Sequence, residues 1–184
     1  MNPSNVTICA YAGRAWSPAQ LAAIDHIFST SSATRTFSSA AERSAHRERW
    51  LGRYLSGDAS HAFVAVDGRD RAVGYVVGSV ADPAFDPRLA DQPMTRAFAA
   101  SSARYPAHLH INVAEDQRGC GLGARLIEAF AKHAIAEGAP GLHVVTNAAS
   151  RNVRFYARCG FTEINRVTIA GNELVFLGRT LSPV

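Results

Sequence analysis

The sequence predicts an α/β protein built on a mixed central sheet of about seven strands, with helices on both faces. Short runs rich in β-branched and aromatic residues alternate with longer segments whose apolar residues recur at helical spacing. In the second half helical segments follow strands directly, which supplies the crossovers that parallel pairing needs. Tight turns elsewhere imply antiparallel hairpins. The resulting order is β-α-α-β-β-β-α-β-α-β-β. The chain has 184 residues, 47% of them apolar and 18% charged, which allows a substantial core and excludes disorder as a description of the whole.

Val6 to Tyr11 alternates and opens as a strand. Ser17-Pro18 reads as an N-cap followed by proline in the first turn, and Leu21, Ile24, Ile27 and Phe28 mark an amphipathic helix. The Ser/Thr/Ala-rich stretch Ser29 to Ala41 leads into a second helix from about Ala40 to Leu55, with Trp50, Leu51, Tyr54 and Leu55 at its apolar end and Gly57 as its stop. Ala62 to Val66 and Val73 to Val77, separated by Asp67-Gly68-Arg69-Asp70, form a hairpin. Ala81 to Ala107 is long for a connection, with a short helix around Thr95 to Arg104. A functional loop and a plain surface insertion fit it equally well.

His108 to Val113 alternates with period two, placing His108, His110 and Asn112 opposite Leu109, Ile111 and Val113. The next helix covers about Gly121 to Glu137, with Leu122, Leu126, Ile127, Phe130 and Ala134 as its buried stripe. Leu142 to Thr146 is a strand, and Ser150 to Cys159 a short helix ended by Gly160. Phe161 to Ile169, a turn at Gly171-Asn172, and Leu174 to Leu181 close the chain as a hairpin. No internal repeat is present.

Composition narrows the function. The formal net charge is +4, with a single lysine (Lys132) and scattered arginines, which favours small acidic ligands and disfavours nucleic acid. No apolar run approaches the roughly 18 residues a membrane helix needs. Met1 to Ala10 lacks the basic start and long apolar run of a signal peptide. Three widely spaced cysteines (Cys9, Cys120, Cys159) without a CxxC imply reduced thiols in a cytoplasm.

The most informative segment is Arg118-Gly119-Cys120-Gly121-Leu122-Gly123, between a strand and an amphipathic helix. Glycines let the backbone approach a ligand, and the first N–H groups of a helix are unpaired. With the positive end of the helix dipole they make an anion site suited to phosphate or pyrophosphate, with Arg118 at its rim. The competing reading is a glycine turn that merely enters a helix. Gly119-x-Gly121-x-x-Ala124 also meets a relaxed dinucleotide fingerprint. Against this, Ala114 to Arg118 separates the glycines from the strand, and Thr146-Asn147 stands where the ribose-binding acid belongs. A P-loop is excluded, because no Gly-Lys-Ser/Thr follows.

Ile111 to Gly123, with Arg118-x-x-Gly121-x-Gly123, resembles the acetyl-CoA signature of the GCN5-related N-acetyltransferase (GNAT) superfamily. Asn152-Val153-Arg154-Phe155-Tyr156-Ala157-Arg158-Cys159-Gly160-Phe161 resembles that family's second signature, one helix and one strand downstream. The resemblance covers about His108 to Leu181, and its motif spacing leaves room for one domain over residues 1–184. It implies a GNAT-like sheet in which His108–Val113 and Leu142–Thr146 are parallel neighbours that splay apart. The cofactor it implies is acetyl-CoA, with the pantetheine arm on backbone near Ile111 and Val113. The pyrophosphate would rest on the N–H groups of Arg118, Gly119, Cys120, Gly121, Leu122 and Gly123. Asn152 falls at a cofactor-contacting position, and Tyr156 at that of the usual general acid. The phrase Pro106 to Ile111 behind a long insertion is also similar to acetyltransferase-like domains related to those of O-GlcNAc hydrolases.

Acetyl transfer needs a neutral amine, a polarised carbonyl and a protonated leaving thiolate. A phenol, with pKa about 10 against roughly 8.5 for a thiol, lets Tyr156 serve as the acid. His110 is the candidate base on the polar face of its strand. The alternative is that this face packs under the insertion at 81–107. Glu115 and Asp116 are weaker candidates on the cofactor turn. Two histidines at i,i+2 without Cys, Asp or Glu partners make a poor metal site. Neither Cys120 nor Cys159 is placed for a covalent intermediate, so direct transfer in a ternary complex is expected. The expected acceptor is a small-molecule amine rather than a protein. A homodimer is compatible with the pattern and required by none of it. The alternative activity is a non-catalytic acyl-CoA-binding or sensory module of the same fold.

Overall fold

The structure is a computed structural model that describes residues 5–32, 34 and 36–182. Met1 to Ser4, at the start of the segment read above as lacking a signal peptide, lie outside the described residues, as do Ala33 and Arg35 within the Ser/Thr/Ala-rich stretch. The expected mixed α/β fold is present: seven strands in the order β1-β2-β3-β4-β5-β7-β6. These are β1 (Thr7–Ala10), β2 (Phe63–Val66), β3 (Ala72–Ser79), β4 (Ala107–Val113), β5 (Gly141–Asn147), β6 (Thr162–Ile169) and β7 (Asn172–Thr180). β4 and β5 are parallel, whereas β1–β2, β2–β3, β5–β7 and β6–β7 are antiparallel. The chain divides into two compact units, residues 1–78 with 110–130, and residues 79–109 with 131–184.

In the first unit α1 (Pro18–Ser31) starts with a capping box. Ser17 Oγ accepts from the Gln20 N–H, and Gln20 Oε1 accepts from the Ser17 N–H. Gln20 also donates through Nε2 to Asp70 O at 2.8 Å, tying the β2–β3 turn to the helix start. Ile24, Ile27 and Phe28 are the buried apolar residues of α1, at the spacing its sequence predicted, whereas Leu21, read with them, is exposed. The expected second helix is interrupted. α2 (Ala40–Arg47) passes into a π-helical turn, Glu48–Gly52, before α3 (Arg53–Ser56). The Arg53 N–H reaches back to Glu48 O, adding one residue to the turn. Gly57 follows α3 with φ −85°, so it ends the helix without the left-handed geometry usual for glycine there.

In the second unit the insertion is a packed element rather than a bare loop. The single helix expected near Thr95–Arg104 is two short ones, α4 (Pro93–Ala97) and α5 (Ala99–Ser102), broken at Phe98. Phe98, Tyr105 and Phe176 form a buried cluster with Met94, Val145, Val167 and Leu174 against it. Two glycines permit this close approach: a Cβ at Gly141 would stand 2.6 Å from Tyr105 Cδ1, and one at Gly178 would stand 3.0 Å from its Cε1. α7 (Asn152–Arg158) ends at Gly160, φ +84°, where the Phe161 N–H bonds to Tyr156 O. The closing hairpin turns at Ala170-Gly171 (φ +49° and +76°) rather than Gly171-Asn172, because a two-residue loop of this hand needs positive φ at both central positions.

Candidate active site

β4 ends at Val113, where the Ala114 N–H donates to Val73 O at 2.9 Å. A 3-10 turn, Glu115–Gln117, then closes through the Arg118 N–H to Glu115 O. Gly119 and Gly121 follow with φ +79° and +83°, and nothing lies within 4 Å of a Cβ built at either. Glycine is therefore demanded here by backbone conformation and not by space. α6 (Leu122–Ala136) begins at once, with the Arg125 N–H on Gly121 O. The N–H groups of Gly119, Cys120, Gly121, Leu122, Gly123 and Ala124 donate to no partner among the described residues. The Arg118 N–H, which the sequence reading counted with them, is already engaged by Glu115 O.

Electrostatics favour an anion at this turn. α6 carries no acidic residue in its first turn, so its dipole is not offset there. Asp116 is ion-paired to Arg71 at 3.1 Å, which neutralises the carboxylate of the preceding turn. Arg118 does not stand free at the rim. Its Nε donates to Val113 O at 3.1 Å and its Nη2 to Ser31 Oγ at 3.0 Å, so it clamps the turn to the end of β4 and to α1. Cys120 is exposed, with its thiol on Gln117 O.

The polar face of β4 does not act as one surface. His110 Nε2 lies 3.1 Å from Tyr54 Oη, and the Trp50 ring meets the imidazole edge-on at 5.1 Å. Asn112 Nδ2 donates to Tyr75 Oη at 2.7 Å, and burial holds the Tyr75 phenol above its ordinary pKa. His108 instead belongs to the second unit, buried 5.7 Å from the His143 ring. His143 bonds through Nδ1 to Tyr105 O and stacks on Phe176 at 4.3 Å. Burial lowers its pKa to about 4, so it is neutral near pH 7. His108 thus packs beside His143, while His110 and Asn112 meet aromatic side chains from α3, β3 and the π-helical turn.

Within the second unit β4 and β5 pair in parallel at Ala107↔Leu142 and His108↔His143. In the second unit Tyr156 is the one buried residue of α7, flanked by Phe155 at 5.2 Å and Phe161 at 5.6 Å. Burial raises its phenol pKa, and its hydroxyl makes no hydrogen bond among the described residues. Asn152 opens α7 with its N–H on Ser150 Oγ and its side chain exposed. Sequence reasoning missed Tyr54, Trp50 and Tyr75 as neighbours of the β4 face. Trp50 and Tyr54 sit at i,i+4 at an apolar helix end, a pattern identical to ordinary core packing.

A strand, an arm, a left-handed glycine turn and a helix with open N–H groups define an α/β protein with a built anion cradle. The chain belongs to the acetyltransferase (GNAT) family, which matches residues 24–161. Solved structures are similar over nearly the whole chain. SsHAT is 24% identical with a TM-score of 0.73, covering 97% of this chain and 100% of that one. The N-acetyltransferase from Staphylococcus aureus Mu50 is 19% identical with a TM-score of 0.62, covering 97% and 99%. The NatC complex bound to Gag peptide and CoA is 15% identical with a TM-score of 0.65, covering 97% and 99%. At these identities the likeness establishes the fold.

Proposed function

We propose that this chain is an acetyl-CoA-dependent N-acetyltransferase that acetylates an amine of a small molecule directly, with both reactants bound together. The observation that carries the reading is the run of six N–H groups from Gly119 to Ala124 that have no partner among the described residues, just after the end of β4. That donor set suits a pyrophosphate, and the family resemblance assigns the amide-bearing arm to the backbone at Ile111 and Val113. CoA is bound in the related NatC complex. Acetyl-CoA supplies an activated acetyl thioester.

Within this reading the backbone N–H groups of Gly119, Cys120, Gly121, Leu122 and Gly123 hold phosphate, and Arg118 holds the turn in shape. Asn152 and Tyr156 are assigned to the same cofactor through the second motif. Tyr156 stays protonated because burial disfavours its phenolate, and its hydroxyl donates a hydrogen bond to the departing sulfur. His110 accepts the proton that the amine loses on attack. The family match runs through segments of both units, which supports treating residues 1–184 as one acetyltransferase domain. Three cysteines outside any disulfide agree with a reducing cytoplasm, and no nucleic-acid partner or obligatory homodimer enters the reading.

The second reading is an acyl-CoA-binding module without catalysis. Two observations favour it: His110 Nε2 is already engaged by Tyr54, and burial makes the Tyr156 phenol a weaker acid than in water. One measurement tests both readings together and a second separates them. Acetyl-CoA at 100 times its Kd stabilises either by about 2.7 kcal/mol in thermal unfolding, and no shift overturns both. Release of free CoA that depends on an added amine identifies the enzyme. Equal turnover by wild type and Tyr156→Phe removes Tyr156 from the chemistry.

A further inference from the structure

Asp116 lies in the 3-10 turn Glu115–Gln117, immediately before the glycine turn, and a carboxylate there opposes a bound phosphate. Few residues separate it from Gly119, so the two Cα atoms are at most about 11 Å apart. That is close to one Debye length at about 0.1 M salt, so the charge at Asp116 is felt at the cradle. Glu115, beside it, makes no ion pair among the described residues. The turn therefore carries one uncompensated acid while Asp116 is paired, and two when it is not.

The partner of Asp116 comes from the β2–β3 turn. The Ala114 N–H donates to Val73 O at 2.9 Å, which lays the start of β3 beside the end of β4. Arg71 precedes Val73 by two residues and Asp116 follows Ala114 by two, so this register brings their side chains together, with Arg71 Nη2 3.1 Å from Asp116 Oδ2. The turn holds Arg71 ready. Its Nε donates to Asp67 Oδ2 at 3.2 Å, while Asp67 Oδ1 accepts from the N–H groups of Arg69 and Arg71 at 3.0 and 2.9 Å. The same turn is tied down at Asp70, whose carbonyl accepts from Gln20 Nε2 at 2.8 Å and whose carboxylate pairs with Arg14 at 2.6 Å. The Arg71 and Asp116 side chains are 50% and 45% exposed, so their ion pair adds little to the stability of the fold. Its effect lies in the field at the glycine turn.

We infer that Arg71 is a positioning residue for the cofactor: acting through Asp116, it keeps the turn before the cradle from repelling the pyrophosphate of acetyl-CoA. Arg71 belongs to neither motif and precedes both in sequence. By Coulomb's law in water, one unit charge about 10 Å from a doubly charged pyrophosphate changes its affinity about fourfold at low ionic strength. This inference rests on the proposed acetyl-CoA site.

The test measures acetyl-CoA binding by calorimetry for wild type, Arg71→Gln, Asp116→Asn and the double variant. It is run at about 10 mM and about 1 M salt, where the Debye length is about 30 Å and about 3 Å. At the lower salt Arg71→Gln is expected to bind about fourfold more weakly than wild type, and the double variant within about twofold of it. Asp116→Asn alone leaves Arg71 uncompensated by that turn and should bind more tightly than wild type. At the higher salt all four should agree within about twofold. A merely structural role for Arg71 gives instead a loss that neither salt nor Asp116→Asn removes, and that result overturns the inference. Unchanged affinity of Arg71→Gln at the lower salt overturns it too. Asp116→Asn removes only the surface ion pair and decides the matter by itself where Arg71→Gln does not fold: affinity equal to or below that of wild type overturns the inference. Failure of the parent reading is separately visible, as no binding of acetyl-CoA by wild type at either salt.

Discussion

Tyr54 Oη and His110 Nε2 lie 3.1 Å apart, joining α3 to the polar face of β4 across 56 residues of sequence. The contact fixes the imidazole plane and directs Nε2 to the phenol. Trp50 packs on the same ring edge-on, so rotation of His110 is opposed from two sides.

His110→Ala is expected to lower kcat by about 100-fold or more, the usual scale for loss of a general base. Tyr54→Phe should have a smaller effect, with the acid limb of the kcat/KM profile displaced and the KM for acetyl-CoA unchanged. A Tyr54→Phe profile that superimposes on wild type would separate the phenol from the chemistry.

Tyr156→Phe should reduce kcat by roughly 100-fold while preserving the fold, since the ring keeps its neighbours Phe155 and Phe161. Because burial holds the phenol above its ordinary pKa, wild type should show no loss of rate up to pH 9 attributable to Tyr156. A basic limb below pH 9 that disappears in Tyr156→Phe contradicts this.

Gly121→Ala places a Cβ at φ +83°, where a non-glycine residue costs about 1 kcal/mol or more, although no neighbour obstructs it. Denaturant unfolding should register that loss, and calorimetry should show weaker acetyl-CoA binding, because relaxing the strain rotates the adjacent N–H groups. Unchanged affinity alongside the lower stability would separate this backbone turn from the phosphate.

His143 supplies a pH dependence of stability. Its folded pKa of about 4 lies below the 6.5 of a free imidazole, so the unfolded chain binds the proton more readily. The contribution is complete above pH 6.5 and fades as pH falls toward 4, with a total on the order of 3 kcal/mol. Stability measured at pH 7 and pH 4.5 should fall less for His143→Phe than for wild type. Taking that difference removes the parallel effect of carboxylates such as Glu163, which Arg166 holds below its ordinary range.

The elements that sequence located well are those whose causes are local. Gly119, Gly121 and Gly160 need positive φ, and the strand–turn–helix order around them follows from periodicity over a few residues. The π-helical turn at Glu48–Gly52 was not legible, because a helix that gains one residue keeps nearly the same apolar spacing. The insertion was legible as an interruption but not as packed structure. Its anchor, Tyr105 against Gly141 and Gly178, is a match of shapes between distant segments.

The sequence by itself determined the α/β class, the glycine turn before α6 and the two motifs that place this chain among the GNAT acetyltransferases. Each is written in contiguous residues whose backbone preferences act over one or two turns. Tertiary structure alone decided that β7 lies between β5 and β6, that Arg118 clamps the turn, and that His108 and His110 part company. A strand's alternation sets which face a side chain takes, but its neighbours there come from chain far away in sequence. Burial and charge at each site are sums over those neighbours, which no local pattern encodes.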